Sequence, residues 1–175
     1  MSLKAAMWIP GIAARVEYPE RLTWRPPIPA PTGWPPNPPM RDIHINGSNI
    51  TFSQQNQSGM DNSNWFHFPM STPVFLGNVR VQLLKVFVFY QTQLSVLRSV
   101  HVWDGPLRIF ELNNLSHEGN HLGGIDLVNT FTLNAPRDVF FGINISVQFE
   151  FLPESPSQPM TRSLVVFSTV GADFI

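Results

Sequence analysis

Residues 143–151 give the clearest indication of the fold; they read Ile143-Asn144-Ile145-Ser146-Val147-Gln148-Phe149-Glu150-Phe151. Apolar side chains occupy every second position, and polar side chains fill the positions between them. A period of two is typical of a β-strand with one buried and one solvated face. We therefore predict that Val147 and Phe149 face the core, and that Gln148 and Glu150 face water.

The same period recurs along most of the chain. In residues 79–90 the alternation changes parity near Leu84 and Lys85, which predicts a long strand with a bulge. Asp104-Gly105 separates two further β-rich runs and indicates a hairpin. Shorter strands are predicted at residues 5–9, 13–18, 43–52, 65–68, 129–133 and 163–170. Nine or ten strands without a helical pattern indicate an all-β chain, a single antiparallel β-sandwich or jelly-roll-like domain over residues 1–175.

Length and composition agree with this class. A chain of 175 residues has the size of one ordinary domain and can bury roughly 70 % of its unfolded surface. Charged residues make up 13 % of the chain, about half the usual share, so we expect a neutral surface solvated by hydroxyls and amides. The net charge of -1 gives no basic footprint for nucleic acid or an anionic membrane.

The absence of cysteine excludes disulfides, thiol nucleophiles and Cys-ligated metal centres. The apolar stretch after residues 1–4 is broken by Pro10 and Arg15, so it is not a secretory signal. The longest apolar run, from Leu83, is interrupted by Lys85 and is too short to span a bilayer. These features predict a soluble, provisionally cytoplasmic protein that does not insert into membranes, and no cofactor is predicted.

Two segments interrupt the strand pattern. Eight of the 17 prolines fall in residues 26–39, which we expect to be extended and polyproline-like. This segment is either a ligand for an SH3-like or WW-like domain or a rigid connector anchored by Trp24 and Trp34. Residues 53–64 are rich in Gln, Asn and Ser and are predicted to be a loop within the same domain.

Residues 117–121 match the zinc-peptidase motif H-E-x-x-H. The motif requires a helix, which places both histidines on one face, but Gly119 and its neighbours are poor helix formers. The third ligand position of the extended pattern holds Leu127, which cannot bind metal. We therefore expect the match to be a coincidence on a loop without stoichiometric zinc. The alternatives are a zinc-dependent hydrolase using His117, Glu118 and His121, and a metal held on a loop by His117, His121 and Asp126.

Tryptophans outside the strand pattern suggest a ligand surface. Trp34 is enclosed by prolines, and Trp65 follows a short polar run. An indole beside amide and carboxylate groups is the usual chemistry of a sugar platform, although each Trp could instead pin its own loop. The candidate binding residues are Trp34, Trp65, Asp61, Asn62 and Asn64.

Several short motifs are shared with a known group of proteins. They are Trp8-Ile9-Pro10-Gly11 followed by Val16-Glu17, then Asn64-Trp65-Phe66-His67, Lys85-Val86-Phe87-Val88-Phe89-Tyr90, Val102-Trp103-Asp104-Gly105-Pro106 and the ending Gly171-Ala172-Asp173-Phe174. With these motifs the chain resembles a family of small, mainly bacterial β-sandwich proteins of unknown function. The resemblance implies a single all-β domain and carries over no catalytic residue.

Two classes of function compete at this point. The favoured one is a non-enzymatic binding or structural module that recognises glycans or protein surfaces, or that joins copies of itself through low-charge faces or unpaired edge strands. The other is the hydrolase at residues 117–121. The expected partner is accordingly a glycan, a protein or a second copy of the chain, and not a nucleic acid.

Overall fold

The computed structural model describes residues 3–24, 40–41, 43–54, 61–153 and 163–175. These residues contain fifteen strands and two 3-10 turns (Gly11–Ala13 and Pro19–Arg21), and no α-helix occurs among them. The strands are β1 (Ala5–Pro10), β2 (Arg15–Val16), β3 (Thr23–Trp24), β4 (Met40–Arg41), β5 (Ile43–Asn46), β6 (Asn49–Ser53), β7 (Ser63–Met70), β8 (Phe75–Leu76), β9 (Val79–Arg80), β10 (Gln82–Gln93), β11 (Ser95–Asp104), β12 (Leu107–Leu112), β13 (Thr130–Asp138), β14 (Ile143–Phe151) and β15 (Leu164–Phe174). The predicted all-β class is confirmed.

Two antiparallel sheets pack against each other. Sheet A has the order β13-β10-β15-β6-β5, and β1 also pairs with β15. Sheet B has the order β12-β11-β14-β7-β2. β3 pairs with β4, and β8 pairs with β9, as separate two-stranded ribbons. None of the described residues forms a helix that could cross a membrane.

The core lies between the two sheets and is rich in phenylalanine. Phe66 is at its centre, with ring centroids 4.8 Å from Phe52 and 5.1 Å from Phe167. Val147 and Phe149 are fully buried, whereas Gln148 and Glu150 on the opposite face are partly exposed. The predicted alternation of β14 is therefore confirmed. Aromatic rings pack here because alternate positions of several strands carry them on the same side.

The predicted bulge and hairpin are both present. The register of β10 shifts between Leu83 and Lys85 against both of its neighbours. β11 and β12 pair through a turn in which Gly105 has a φ of 55°, a conformation that glycine adopts without steric cost.

Several predicted strand boundaries were wrong. Residues 13–18 form only the short strand β2 between two 3-10 turns. Residues 43–52 form a hairpin, because Gly47 turns the chain with a φ of 63° and β5 folds back onto β6. The strand predicted at residues 65–68 begins earlier, at Ser63. Three residues of the predicted loop 53–64 therefore belong to strands: Ser53 to β6, and Ser63 and Asn64 to β7. Residues 26–39 and 55–60 lie outside the described residues.

Candidate ligand-binding face

The face of sheet B that points away from the core carries polar and aromatic side chains. β14 supplies Asn144, Ser146, Gln148 and Glu150, which alternate with its buried residues. In the sheet register Gln148 lies opposite Trp65 on one side and Ser99 on the other. These residues come from three neighbouring strands, so only the sheet order brings them together.

Two rings meet across this face. Trp65 from β7 and His101 from β11 have ring centroids 4.7 Å apart and planes inclined by 43°. β14 runs between their two strands, so the rings meet above its backbone. His101 Nε2 also lies 2.8 Å from Asn113 Oδ1, which fixes the orientation of the imidazole. Trp65 is half-buried, so part of the indole remains open to solvent.

A groove of about 670 Å³ runs beside this ring pair. Every side chain that lines it in the described part of the chain is polar or charged: Asp61, Asn62, Ser63, Arg98, Ser99, Asn113, Asn114, Gln148 and Glu150. Its net charge is small, because Arg98 offsets one of the two carboxylates, and Arg98 Nε donates to Glu150 Oε2 at 2.6 Å. The groove therefore offers hydrogen-bond donors and acceptors with little net charge.

Hydrogen bonds among the lining residues hold the groove in shape. Gln148 accepts from the Ser99 hydroxyl through Oε1 and donates to the Ser63 hydroxyl through Nε2, both at 3.2 Å. Asp61 accepts from the Ser63 backbone N–H at 2.9 Å and from Arg21 Nη1 at 3.1 Å. The Ser63 N–H bond, together with the Ser63 hydroxyl and Arg21, lowers the pKa of Asp61 below its ordinary value despite some burial.

The sequence-predicted binding residues divide into three groups. Asp61 and Asn62 line the groove, and Trp65 lies beside it. Asn64 is fully buried: its amide donates to the Tyr18 carbonyl and accepts from the Tyr18 N–H, so it holds the chain after β2 and does not line the groove. Because β7 begins at Ser63, two residues before the predicted start, Asn64 is part of the strand. It points inward because it alternates in step with the buried Phe66. Trp34 lies outside the described residues.

The remaining groove residues were not predicted as a site. Ser99, Gln148 and Glu150 were visible only as polar positions of separate strands, and Arg98 lies at a register shift of β11. His101 was hidden in the same way, since a histidine within a strand is more often a hydrogen-bonded sheet residue than a ligand. The alternation of polar and apolar residues within each strand was the available signal, but it does not identify which strands are neighbours in the sheet.

A Ser-His-Glu arrangement lies on the same face. Ser146 Oγ is 2.9 Å from His67 Nδ1, and His67 Nε2 is 3.3 Å from Glu17 Oε2. A serine hydrolase needs a hydroxyl that a substrate can reach. Ser146 is 1 % exposed, and its hydroxyl already accepts from Asn144 Nδ2 at 3.0 Å. This network therefore stabilises the sheet surface and does not form a nucleophile.

The three predicted metal ligands do not converge on one site. Residues 117–121 are not helical, and the His117 ring stacks on Phe131 with centroids 6.3 Å apart. Both ring nitrogens of His121 face oxygens, Asp126 Oδ2 at 2.9 Å and the Glu118 carbonyl at 3.1 Å. Within the part of the chain that the structure describes, no three His, Asp or Glu side chains are placed to hold a metal ion.

The Asp126 carboxylate organises this loop instead. Burial would raise the pKa of Asp126, but hydrogen bonds from His121 and from the backbone N–H groups of Val128 and Asn129 lower it below its ordinary value. The loop also bridges β10 and β11 through Asn120 and His117. The residues of the H-E-x-x-H match thus have structural contacts of their own.

The chain matches no protein-family model, and comparisons with curated proteins and with solved structures give no significant match.

Proposed function

We propose that this protein is a non-enzymatic binding module that recognises glycans on the outer face of sheet B. The observation that carries the proposal is the all-polar groove beside the half-exposed Trp65–His101 pair. A pyranose presents an apolar face to an aromatic ring and hydroxyls around its rim. The groove matches both requirements, since it places amide, hydroxyl and carboxylate groups next to an indole.

The charge of the groove supports a neutral ligand. Arg98 is paired with Glu150, and Asp61 is paired with Arg21, so no unpaired cluster of one sign is available to attract a polyanion. Hydroxyl and amide hydrogen bonds depend little on ionic strength. We therefore expect binding that changes little between low and moderate salt, in contrast to binding of a nucleic acid or a heparin-like chain.

A protein partner fits this groove less well than a glycan. Protein interfaces draw their affinity from a central patch of buried aromatic and aliphatic anchors surrounded by a polar rim. Among the described residues, no apolar side chain lines the groove, and the aromatic pair lies to one side. Polar lining with one flanking ring is instead the arrangement that orients a sugar by its hydroxyls.

The test is a glycan array followed by calorimetric titration of the oligosaccharide that it identifies. Trp65→Ala should weaken binding about 10- to 100-fold, because a buried large apolar side chain contributes about 1.5 to 3 kcal/mol and each 1.4 kcal/mol is tenfold. Gln148→Ala should also weaken binding, because Gln148 lines the groove from its floor.

Trp8→Ala is the matched control. Trp8 is 44 % exposed and lies on the outer face of sheet A, where its ring stacks on Phe87 with centroids 5.2 Å apart. Its removal should leave glycan affinity unchanged in protein that circular dichroism shows to be folded. The proposal fails if no glycan binds the wild-type chain, or if Trp65→Ala binds as tightly as Trp8→Ala.

A further inference from the structure

A second cavity lies at the other end of β14 from the groove. It has a volume of about 460 Å³ and lies between the end of β7 and the loop that precedes β14. Pro69 of β7 and Asn144 of β14 line it, and the two are opposed in the sheet register. Asn144 precedes Gln148 by four residues, which is about 14 Å at the rise of an antiparallel strand. The groove and the second cavity therefore lie along one strand.

The second cavity combines an exposed ring with hydroxyl and amide groups. Phe141 lines it and is 68 % exposed, and Ser71, Thr72 and Asn144 line it as well. Thr72 Oγ1 accepts from the Ile143 N–H at 3.2 Å, and the Thr72 O–H can still donate to a ligand. None of the described residues that line this cavity carries a charge. A ring beside neutral polar groups is the same combination that the groove and its ring pair present.

The loop that carries Phe141 is held from below. The Asp104 carboxylate is fully buried and accepts from the backbone N–H groups of Phe140, Phe141 and Gly142 at 2.7, 2.8 and 3.0 Å. The Phe141 ring also lies directly on Gly105, where a Cβ atom would come 2.9 Å from Phe141 Cδ2. Three N–H bonds to one buried carboxylate fix the backbone of the loop. Phe141 is therefore displayed by an ordered loop, which lowers the entropic cost of binding a ligand to its ring.

The neighbouring ring has a different environment. Phe140 is 50 % exposed, and the Arg80 guanidinium lies 4.3 Å from its ring centroid and 4.5 Å from that of Phe75. Arg80 Nη1 also donates to the Val139 carbonyl at 2.8 Å. Phe140 thus stacks on a side chain of its own chain, whereas Phe141 lines the second cavity.

The ring pair stands between the groove and the second cavity. Trp65 lies opposite Gln148 in the sheet register, and His101 lies opposite Ser146. A ligand that runs along β14 from the groove to Asn144 therefore passes over the indole. A single pyranose is shorter than the span of about 14 Å, so only several linked sugars reach both ends.

We propose that the ligand is a linear glycan that lies along β14, with a second sugar site at Phe141, Thr72 and Asn144. This inference rests on the proposed function and names the class of glycan, an extended neutral chain rather than a terminal sugar. The Phe141 ring covers the apolar face of one sugar, and the neighbouring hydroxyl and amide groups bond to its rim. One ligand that spans both sites gains from both contacts while it loses its translational freedom once.

The test is calorimetric titration of a size series of the linear glycan that the array identifies, from the monosaccharide upward. Affinity should rise with chain length until the ligand spans both sites. Phe141→Ala should weaken binding of the longest member about tenfold, because the ligand no longer buries this ring, and should leave the shortest bound member unaffected. The melting temperature should stay close to that of the wild type, because the side chain is largely exposed.

Phe140→Ala is the matched control, since it removes an exposed ring from the same loop outside the second cavity. It should leave the affinity for every member of the series unchanged. The second site is overturned if affinity does not rise with chain length, or if Phe141→Ala binds the longest member as tightly as Phe140→Ala does. In both cases binding that Trp65→Ala weakens would leave the proposed function standing, whereas a wild-type chain that binds no glycan would overturn both.

Discussion

The two faces of β14 arise from one alternating sequence but have different roles. On the inner face Ile145, Val147 and Phe149 are fully buried between the sheets. On the outer face Gln148 and Glu150 form directed hydrogen bonds with neighbouring strands. Apolar burial is non-directional and stabilises the fold, whereas hydrogen bonds place donors and acceptors at fixed points. The difference shows how one strand can stabilise the core and order a polar surface at once.

The outer face of β14 also contains a side chain that is shielded from solvent and hydrogen-bonded. Ser146 lies on it and yet is almost completely buried, because His67 and His101 flank it in the register. The His67 ring joins the two strands' side chains: Nδ1 lies 2.9 Å from Ser146 Oγ, and Nε2 lies 3.3 Å from Glu17 Oε2. These contacts hold the outer face in one arrangement.

The largest expected effect separates the two faces at adjacent residues. Phe149→Ala should lower the free energy of unfolding by about 3 to 5 kcal/mol, because it removes a ring that packs on Phe66, Tyr90 and Phe167. Gln148→Ala should change it by less than about 0.5 kcal/mol. Urea denaturation of both variants is the measurement. Equal losses at the two positions would contradict the division into two faces.

A smaller effect is expected where the outer face is buried. Ser146→Ala leaves His67 Nδ1 and the Asn144 amide without their shared partner, which should cost about 1 to 2 kcal/mol. A double-mutant cycle with His67→Ala isolates the coupling between the two side chains. If Ser146→Ala is as mild as Gln148→Ala, the network does not order the face.

The local features of the fold could be predicted from the sequence. The faces of β14, the bulge at Lys85 and the hairpin at Gly105 each follow from the order of apolar residues and turn residues over a few positions. The hairpin at Gly47 is equally local, since Asn46-Gly47 is a strong turn signal, and the prediction of one continuous strand over residues 43–52 is wrong at this point.

The candidate site could be predicted only in part, because it depends on which strands are neighbours. Asp61 and Asn62 come from the segment before β7, but the groove also needs β11 and β14, and periodicity does not give the order of strands in a sheet. Asp104 illustrates the same limit. It was predicted as a turn residue, and its buried carboxylate also accepts from the N–H groups of residues 140–142 at 2.7 to 3.0 Å.

The smallest expected effect concerns the charge at the edge of the groove. Because the pKa of Asp61 is lower in the folded chain than its ordinary value of 3.8, its ionised form stabilises the fold above that value. This contribution should be lost as the pH falls from 3.8 through the lower folded pKa. Asp61→Asn should therefore be less stable than the wild type near neutral pH, by less than about 1 kcal/mol for so exposed a group, and the difference should vanish in acid.

Arg21→Met separates the contribution of Arg21 to the lowered Asp61 pKa from the contribution of Ser63. The Ser63 N–H bond lowers it more than the Arg21 charge does, so most of the pH dependence should survive when the arginine is removed. Thermal melts of the wild type, Asp61→Asn and Arg21→Met between neutral and acid pH give the comparison. If Arg21→Met removes the pH dependence as completely as Asp61→Asn, the ion pair and not the Ser63 amide holds this carboxylate ionised. The edge of the groove would then be fixed by a pair that salt screens, and the expected insensitivity of ligand binding to ionic strength would not hold there.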